Sequence, residues 1–342
     1  MKIVIDINHP AHVHKFRNLI DLMIKKGHEI LITASDKDIT YDLLDLYNLD
    51  YIKIGSYGKS LTNKIINVPY MDFKMYNAVK KFKPDVYLGV GSIRAAQVSR
   101  ILNKISISLD DTELATEGRL LYKPFTNIII TPKWYNKDLG QKQIRINAFF
   151  ELSYLHPTYF KPNPSILDEL NIDKNDIYFI LRFVSFNAFH DIGQHGIKNK
   201  YDLINKMEKI GKIFISSEYK LNEKLEKYRV KISPIKIFDL MYFSKMYIGE
   251  SGSMATESSI LGVPSIYISS LGKLLANFTE LENKYSLLYS YVNYNKSYEK
   301  IFEIIEDTDS KKKWNLKREY LLKNTIDPNK FLINLIEKMV TK

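Results

Sequence analysis

The apolar positions in the first half of the chain fall into short continuous runs separated by segments with helical spacing. Residues 2–7 form such a run, and residues 14–26 place apolar side chains on one helical face before Gly27. The same pattern predicts strands at residues 29–33, 51–54, 85–89, 106–109 and 127–131 and helices at residues 41–47, 67–82 and 93–102. Apolar strands that alternate with helices indicate a parallel sheet covered on both faces.

A proline-rich segment at residues 156–164 interrupts this alternation, which then restarts. The second half predicts strands at residues 178–183, 212–216, 246–248 and 265–268 and helices at residues 200–210, 237–243 and 254–261. A charged region precedes a terminal helix at residues 328–339. We therefore predict an α/β protein with two similar domains joined near residue 160. Ligands are expected beyond the carboxyl ends of the strands, which converge if the two domains face each other.

The segment between residues 246 and 268 carries the clearest indication of a binding site. A strand ends near Gly249, and a helix is predicted to follow from Met254. The turn between them consists of small residues: Ser251, Gly252 and Ser253. The unpaired N–H groups and the helix dipole at such a turn favour an anion, and Glu257, one turn into the helix, can accept hydrogen bonds from a ribose diol. The segment indicates half of a nucleotide-sugar site, with an ordinary strand–helix–strand unit as the alternative.

Three histidines follow the first predicted strand: His9, His12 and His14. Three histidines within six residues suggest a metal site, but their spacing is not that of a metalloprotease helix and no obvious third ligand with a second shell joins them. A neutral imidazole at a helix N-terminus suits acid–base chemistry, because the dipole disfavours its protonated form. We predict His12 as the general base, while His9 or His14 packs or caps. The alternative is a polar loop that starts a helix.

Two further strand ends carry candidate side chains in the first half. Gly91 and Ser92 form a glycine turn into a helix, which can receive the acceptor or a diphosphate, or be only a tight turn. This turn lacks the glycine-rich dinucleotide pattern and its acidic partner, so a nicotinamide cofactor is rejected. Asp110 and Asp111 can act as acid, base or hydroxyl clamp, or the segment can cap the following turn through Asp111 or Thr112.

In the second half, Arg182 ends a predicted strand and can neutralise a diphosphate leaving group. The irregular loop after it contains His190, Asp191 and His195, of which His190 is predicted to contact the substrate. A surface salt bridge is the alternative interpretation for this group.

Composition narrows the class of protein. The chain has 342 residues, no cysteine and a formal net charge of +11, so thiol chemistry is excluded and an anionic substrate or membrane surface is favoured. The basic residues are scattered and no nucleic-acid-binding signature is present, so nucleic acid is ranked last. Because there is no signal peptide or membrane span in the sequence, we expect a cytoplasmic location, with peripheral contact at the inner face of the membrane also considered.

With these residues in place, the chain resembles a family of prokaryotic proteins catalogued as a domain of unknown function. That family is similar to the GT-B glycosyltransferases and the UDP-N-acetylglucosamine 2-epimerases. The matching segments are IDINHPAHVHKFRNLI, KFKPDVYLGVGS, ISLDDTELA, ELSYLHPTYFKP and DLMYFSKMYIGESGSMATESSILGVPSI. The resemblance implies two facing Rossmann-like domains, with an acceptor domain at residues 1–160 and a nucleotide-sugar domain at residues 161–318. It also implies that a C-terminal helix within residues 319–342 crosses back to the first domain.

The resemblance also implies residue roles. The diphosphate is expected at the turn that begins the helix after Gly249, the ribose at Glu257, and His12 falls where related transferases carry a histidine after their first strand. The substrate-contacting residues of this pattern are Ser251, Gly252, Ser253 and Met254. The chain departs from the epimerases because its loop at Gly91 lacks their carboxylate, and epimerisation needs acid and base groups.

The expected function is therefore glycosyl transfer without metal or cofactor. The donor is a nucleotide-diphosphate sugar, most simply UDP-linked, and the acceptor is a glycan, a lipid-linked sugar or another cell-surface molecule. A UDP-N-acetylglucosamine 2-epimerase-like activity and a non-catalytic nucleotide-sugar- or polysaccharide-binding protein are the alternatives. The oligomeric state, the sugar and the stereochemical outcome are left open.

Overall fold

The computed structural model describes residues 1–58, 66–184, 196–197, 199–217 and 219–340. The chain divides into two compact units. The first comprises Met1–Tyr154 and Ile326–Lys342, and the second comprises Leu155–Thr325. Each unit is an α/β structure with its own parallel sheet.

The first unit is built on a sheet whose described strands are all parallel to their neighbours. They are β1 (Lys2–Ile7), β2 (Glu29–Ser35), β3 (Tyr51–Gly55), β4 (Val86–Val90), β5 (Ile105–Leu109), β6 (Ile128–Pro132) and β7 (Gln143–Ile146). Their order, β3-β2-β1-β4-β5-β6-β7, reverses direction between β1 and β4. In open α/β sheets this switch point, at the carboxyl ends of the strands, is where ligands bind.

Helices cover this sheet and exclude water from its apolar strands. They are α1 (Pro10–Lys25), α2 (Thr40–Leu46), α3 (Val68–Val79), α4 (Ile93–Ile101), α5 (Thr116–Tyr122) and α6 (Leu152–Leu155), the last at the division between the units. A buried cluster shows how the layers meet, because Val4 and Tyr87 of the sheet pack with Met75, Val79 and Val98 of α3 and α4.

The second unit has the described strands β8 (Tyr178–Phe183), β9 (Lys212–Ser217), β10 (Met246–Gly249), β11 (Ser265–Ile268) and β12 (Leu288–Tyr291). Its helices are α7 (Ser165–Glu169), α8 (Lys200–Met207), α9 (Glu223–Glu226), α10 (Ile237–Phe243), α11 (Gly252–Ile260), α12 (Ala276–Asn283), α13 (Tyr298–Glu306) and α14 (Ser310–Lys323). The strand order β12-β11-β10-β8-β9 places the switch point between β8 and β10.

After α14 the chain re-enters the first unit as α15 (Pro328–Val340). The N–H of Ile326 donates to the carbonyl of Asn147 at 2.9 Å, and the side-chain amide of Asn329 donates to the carbonyl of Ser153 at 2.8 Å. Leu332 and Ile336 are buried. The predicted α/β class, with two Rossmann-like units and a crossing C-terminal helix, is confirmed.

Two predicted helix starts are wrong, for the same reason. Helix α1 begins at Pro10 and not at residue 14, because the His9 side chain caps it by accepting from the N–H of Ala11 at 3.2 Å. Helix α11 begins at Gly252 and not at Met254, because Ser251 is its N-cap. Within the described residues, no helix combines the length and apolarity that crossing a membrane requires.

Candidate functional site

The switch point of the first unit is held by a buried carboxylate, Asp6, near the end of β1. Its Oδ1 accepts from the Thr33 hydroxyl at 2.6 Å and from Nε of Arg94 at 2.9 Å, and its Oδ2 accepts from the Ser92 hydroxyl at 2.5 Å. Asp6 and Arg94 are both fully buried. This ion pair ties β1, β2 and the start of α4 together, and removing one partner would leave an uncompensated buried charge.

The network also decides what Gly91 and Ser92 offer to a ligand. Ser92 donates to Asp6 and its hydroxyl accepts from the N–H of Ala95 at 3.1 Å, so it caps α4. The N–H of Gly91, whose φ is +51°, donates to the carbonyl of Leu109 at 3.0 Å. Both groups are used inside the unit. Substrate contact by these two residues stays a prediction that this geometry does not favour.

The three histidines have separate surroundings. His9 is the N-cap of α1, and His14 is buried, with Tyr47 at its edge and Tyr154 stacked on it at a ring distance of 5.6 Å. His12 is half-buried in the first turn of α1, and its Nδ1 accepts from the N–H of Asn8 at 3.3 Å. His12 is therefore the histidine left for chemistry at this strand end.

The electrostatics of His12 follow from burial and from its positive surroundings. The pKa of His12 is held well below its usual value, first by burial and then by His9, Lys15 and Lys37. The ring is therefore neutral. Because Nδ1 accepts the Asn8 amide, the ring proton is assigned to Nε2. In this state Nε2 is the donor, and His12 acts as a base only through Nδ1 once that amide is released.

The two aspartates after β5 differ in what they contact. Asp110 is buried, accepts from Nε of Arg119 at 3.0 Å and from the Tyr122 hydroxyl, and also accepts from the N–H of Thr112 at 3.1 Å. Its oxygens thus serve the fold, although the capping alternative named Asp111 or Thr112 and not Asp110. Asp111 instead pairs with Lys15 of α1, with side chains 11% and 8% exposed respectively. Of the two aspartates, Asp111 is the one that contacts Lys15, which lies one helical turn after His12. The catalytic roles of both aspartates stay predictions.

Sequence reasoning missed Glu151, a second carboxyl at this strand-end edge. Glu151 is 5% exposed, and its Oε2 has no hydrogen-bond partner among the described residues. Burial raises its pKa, Lys15 opposes that rise, and Asp111 adds to it. The only available signal was a charged residue inside the apolar run INAFFELSYL. Lys15 therefore has two carboxyl neighbours, a composition suited to holding a proton.

The switch point of the second unit brings Arg182 beside the start of α11. Arg182 lies on β8 opposite Gly249 of β10, and its Nη1 donates to the Ser216 hydroxyl at 2.7 Å. A Cβ at Gly249 would stand 2.9 Å from Cβ of Arg182, so only glycine lets the two strand ends approach this closely. The guanidinium is thereby fixed at the edge of the sheet.

Helix α11 presents its first turn at the same edge. Ser251 caps it by accepting from the N–H of Met254 at 3.5 Å. The N–H groups of Gly252 and Ser253 belong to the first turn and have no intrahelical acceptors. Glu257 is 5% exposed, so it lies on the buried side of α11. The predicted contacts of these residues with diphosphate and ribose stay predictions, and any test of Glu257 needs a stability control.

A second missed residue is Glu250, which separates Gly249 from the cap of α11. Its side chain is 1% exposed and accepts hydrogen bonds from two backbone N–H groups of the same unit. His190, Asp191 and His195 lie outside the described residues, so their predicted roles are not located. In the described parts of the chain, no group of three histidine or carboxylate side chains is arranged to hold a metal ion.

Comparisons with known proteins agree with this architecture. A family model described as protein of unknown function (DUF354) matches residues 1–324. An uncharacterized protein, MJ0665 of Methanocaldococcus jannaschii, is 27% identical over 275 residues, which cover 77% of this chain and 80% of that protein. The predicted family resemblance is therefore confirmed.

Solved structures show the same fold at low sequence identity. The UDP-GlcNAc 2-epimerase from Neisseria meningitidis, bound to UDP-GlcNAc, has a TM-score of 0.67 at 14% identity and covers 99% of this chain and 100% of its own. A spinosyn forosaminyltransferase has a TM-score of 0.65 at 12% identity, with 100% of both chains covered. Because glycosyltransferases and epimerases both appear, the comparison establishes a GT-B-like fold but no particular reaction.

Proposed function

We propose a function for this chain on the premise that it belongs to the DUF354 family of proteins of unknown function. The chain transfers a sugar from a nucleotide-diphosphate sugar, UDP-linked, to a glycan, a lipid-linked sugar or another cell-surface acceptor. The observation that supports this proposal most is the switch point of the second unit. There a fixed guanidinium, Arg182, and the first turn of α11 lie on adjacent strand ends.

The chemistry of that strand end suits a departing diphosphate. Charge-assisted hydrogen bonds from Arg182 and the positive end of the α11 dipole both favour negative charge. In the reaction, an acceptor hydroxyl oxygen forms a bond to the anomeric carbon while the bond from that carbon to the diphosphate breaks. The electron pair leaves with the diphosphate. One preorganised donor of this kind is worth about 3–4 kcal/mol of transition-state stabilisation.

The acceptor hydroxyl must lose its proton in the same reaction. We assign this role to His12, through Nδ1, with the carboxylate of Asp111 as the second candidate. The lowered pKa of His12 keeps the imidazole neutral, and the Nδ1 lone pair accepts the proton once the Asn8 amide is released. Asp110 is a weaker candidate because Arg119 and Tyr122 already occupy its carboxylate.

A UDP-N-acetylglucosamine 2-epimerase-like activity is the second candidate function, and Glu151 is the observation that favours it. Elimination and re-addition of UDP require an acid as well as a base. The loop at Gly91 carries no carboxyl, but Glu151 adds one near Lys15 and Asp111. A non-catalytic nucleotide-sugar- or polysaccharide-binding protein is the third candidate.

Two measurements separate these functions. A thermal-shift screen of nucleoside diphosphates and their sugars identifies the donor, and UDP is expected to raise the melting temperature most. Incubation with UDP-N-acetylglucosamine alone then tests the reaction: conversion to the C2 epimer without an acceptor favours the epimerase. Transfer that requires an added acceptor supports our proposal, and tight UDP binding without turnover in an acceptor screen contradicts it.

A further inference from the structure

Glu250 has a buried carboxylate that is fully occupied by its own unit. Its Oε2 accepts from the backbone N–H of Val184 at 3.0 Å, and its Oε1 accepts from that of Ile197 at 2.7 Å. Nζ of Lys200 lies 3.7 Å from Oε2. Val184 follows β8, Ile197 precedes α8, and Glu250 itself follows β10. One side chain thus joins both ends of the connection between β8 and α8 to the turn that follows β10.

The backbone at Gly196 lies very close to the Glu250 side chain. A Cβ at Gly196 would stand 2.6 Å from Cδ of Glu250, so the chain before Ile197 approaches the carboxylate as only glycine can. The backbone N–H of Glu250 donates to the carbonyl of Arg182 at 3.0 Å. Main chain and side chain of Glu250 therefore both bind the end of β8, on either side of Phe183.

The charge of Glu250 is compensated locally. Burial raises its pKa, while Lys200 and the N–H groups of Val184 and Ile197 lower it. Hydrogen bonds from backbone N–H groups to a buried carboxylate are stronger than neutral ones. Lys200 is also held in place, because its Nζ donates to the Tyr219 hydroxyl at 2.7 Å and lies 4.7 Å from the ring centre of Phe183.

We propose that Glu250 is a positioning residue of the nucleotide site. Its carboxylate holds the chain after β8 and the chain before α8 at the turn that begins α11. Arg182 and the first-turn N–H groups of α11 are thereby kept at the spacing that one diphosphate requires. This inference rests on the function proposed above, and it assigns Glu250 no contact with the substrate.

The test uses the whole protein and two variants that break the same contact from opposite sides. Glu250→Gln keeps the shape but loses the charge and one acceptor, and Gly196→Ala pushes the chain away from the carboxylate. Glu303→Gln, at an exposed carboxylate of the same unit, is the matched control. UDP affinity is measured by calorimetry and the exchange of the Val184 and Ile197 amides by NMR, at a temperature where all variants are folded.

Both variants are expected to weaken UDP binding about tenfold and to speed exchange of the two amides, while the control changes neither. The double variant should bind UDP no more weakly than either single one, because both changes remove one shared interaction. If only one of the two single variants folds, the inference is judged on UDP affinity and amide exchange in that variant.

The two readouts separate the ways in which the inference can fail. Unchanged exchange at both amides overturns the contact as a restraint. Faster exchange with unchanged UDP affinity limits Glu250 to supporting the fold and overturns its positioning role. If NMR shows that the wild-type protein is folded but calorimetry detects no UDP binding, the proposed function fails in its UDP form. The positioning role then fails with it.

Discussion

The switch points of the two units have similar architecture but use their polar groups differently. In the first unit, Asp6 and Arg94 neutralise each other in a fully buried pair, and Ser92 is bound to the same carboxylate. In the second unit, buried Glu250 binds backbone N–H groups at both ends of the connection between β8 and α8, next to the first turn of α11. Burying polar groups at a strand end therefore builds a support in both units, and the turn proposed to bind the diphosphate lies beside the support of the second.

The comparison predicts that proton transfer belongs to the first unit. His12→Ala is expected to lower turnover by about 10²–10⁴ if His12 is the general base, with UDP affinity nearly unchanged. Steady-state kinetics and calorimetry on the same preparation measure both. His156→Ala, at a histidine of the second unit, is the control. Activity that survives in His12→Ala and disappears in Asp111→Asn would move the base to Asp111.

The supporting role of the first switch point predicts a large loss of stability. Asp6→Ala leaves Arg94 buried without its counter-charge, which should lower the free energy of unfolding by about 3–5 kcal/mol. Urea denaturation measures the change, and Asp36→Ala, at an exposed aspartate after β2, is the control. A loss below about 1 kcal/mol would mean that the pair does not hold this strand end together.

The second switch point is probed through Glu257. Glu257→Ala should cost about 1.5–3 kcal/mol of UDP binding if the carboxylate accepts from the ribose. Because Glu257 is buried, Glu257→Gln is included to keep the side-chain volume, and Glu299→Ala serves as an exposed control. UDP affinity that is normal in both folded variants would remove the ribose assignment and leave Glu257 a packing residue.

The effect that is smallest at pH 7, and that grows towards acid, is the pH dependence of the stability of the first unit. The pKa of His14 is lowered from its ordinary value of 6.5 to about 3, first by burial and then by Arg17 and His9. Between those values the unfolded chain binds a proton that the folded chain does not, so stability falls as pH falls, by up to about 1.4 kcal/mol per pH unit for this histidine.

His14→Phe keeps an aromatic ring between Tyr47 and Tyr154 and removes the titration. The difference in unfolding free energy between wild type and variant, measured by urea denaturation from pH 7 to pH 4, should therefore shrink or change sign towards acid. A difference that is constant across this range would show that His14 is protonated equally in the folded and unfolded chains.

The sequence predicted the sheets much better than the side-chain contacts at their edges. Strands β1, β8 and β10 were placed correctly because buried parallel strands are continuous apolar runs. The starts of α1 and α11 were missed because His9 and Ser251 cap them, and a cap depends on local geometry that periodicity does not report. Ser92 and Asp110 were each given a substrate-binding or catalytic role with a structural alternative, and the structure shows that each is bound to side chains of its own unit.

What the sequence determined by itself was the class of fold, the family and the strand ends that carry polar residues, because apolar periodicity and glycine turns are local properties of the chain. Tertiary structure decided which of those polar residues are bound to other groups of the protein. The partners of Asp6 and Glu250 are set by strand order, which brings groups together across long sequence separations, whereas Asp110 is bound by the helix that follows it. Buried charge must be compensated wherever the fold places it, and that compensation is visible only once the strands are in position.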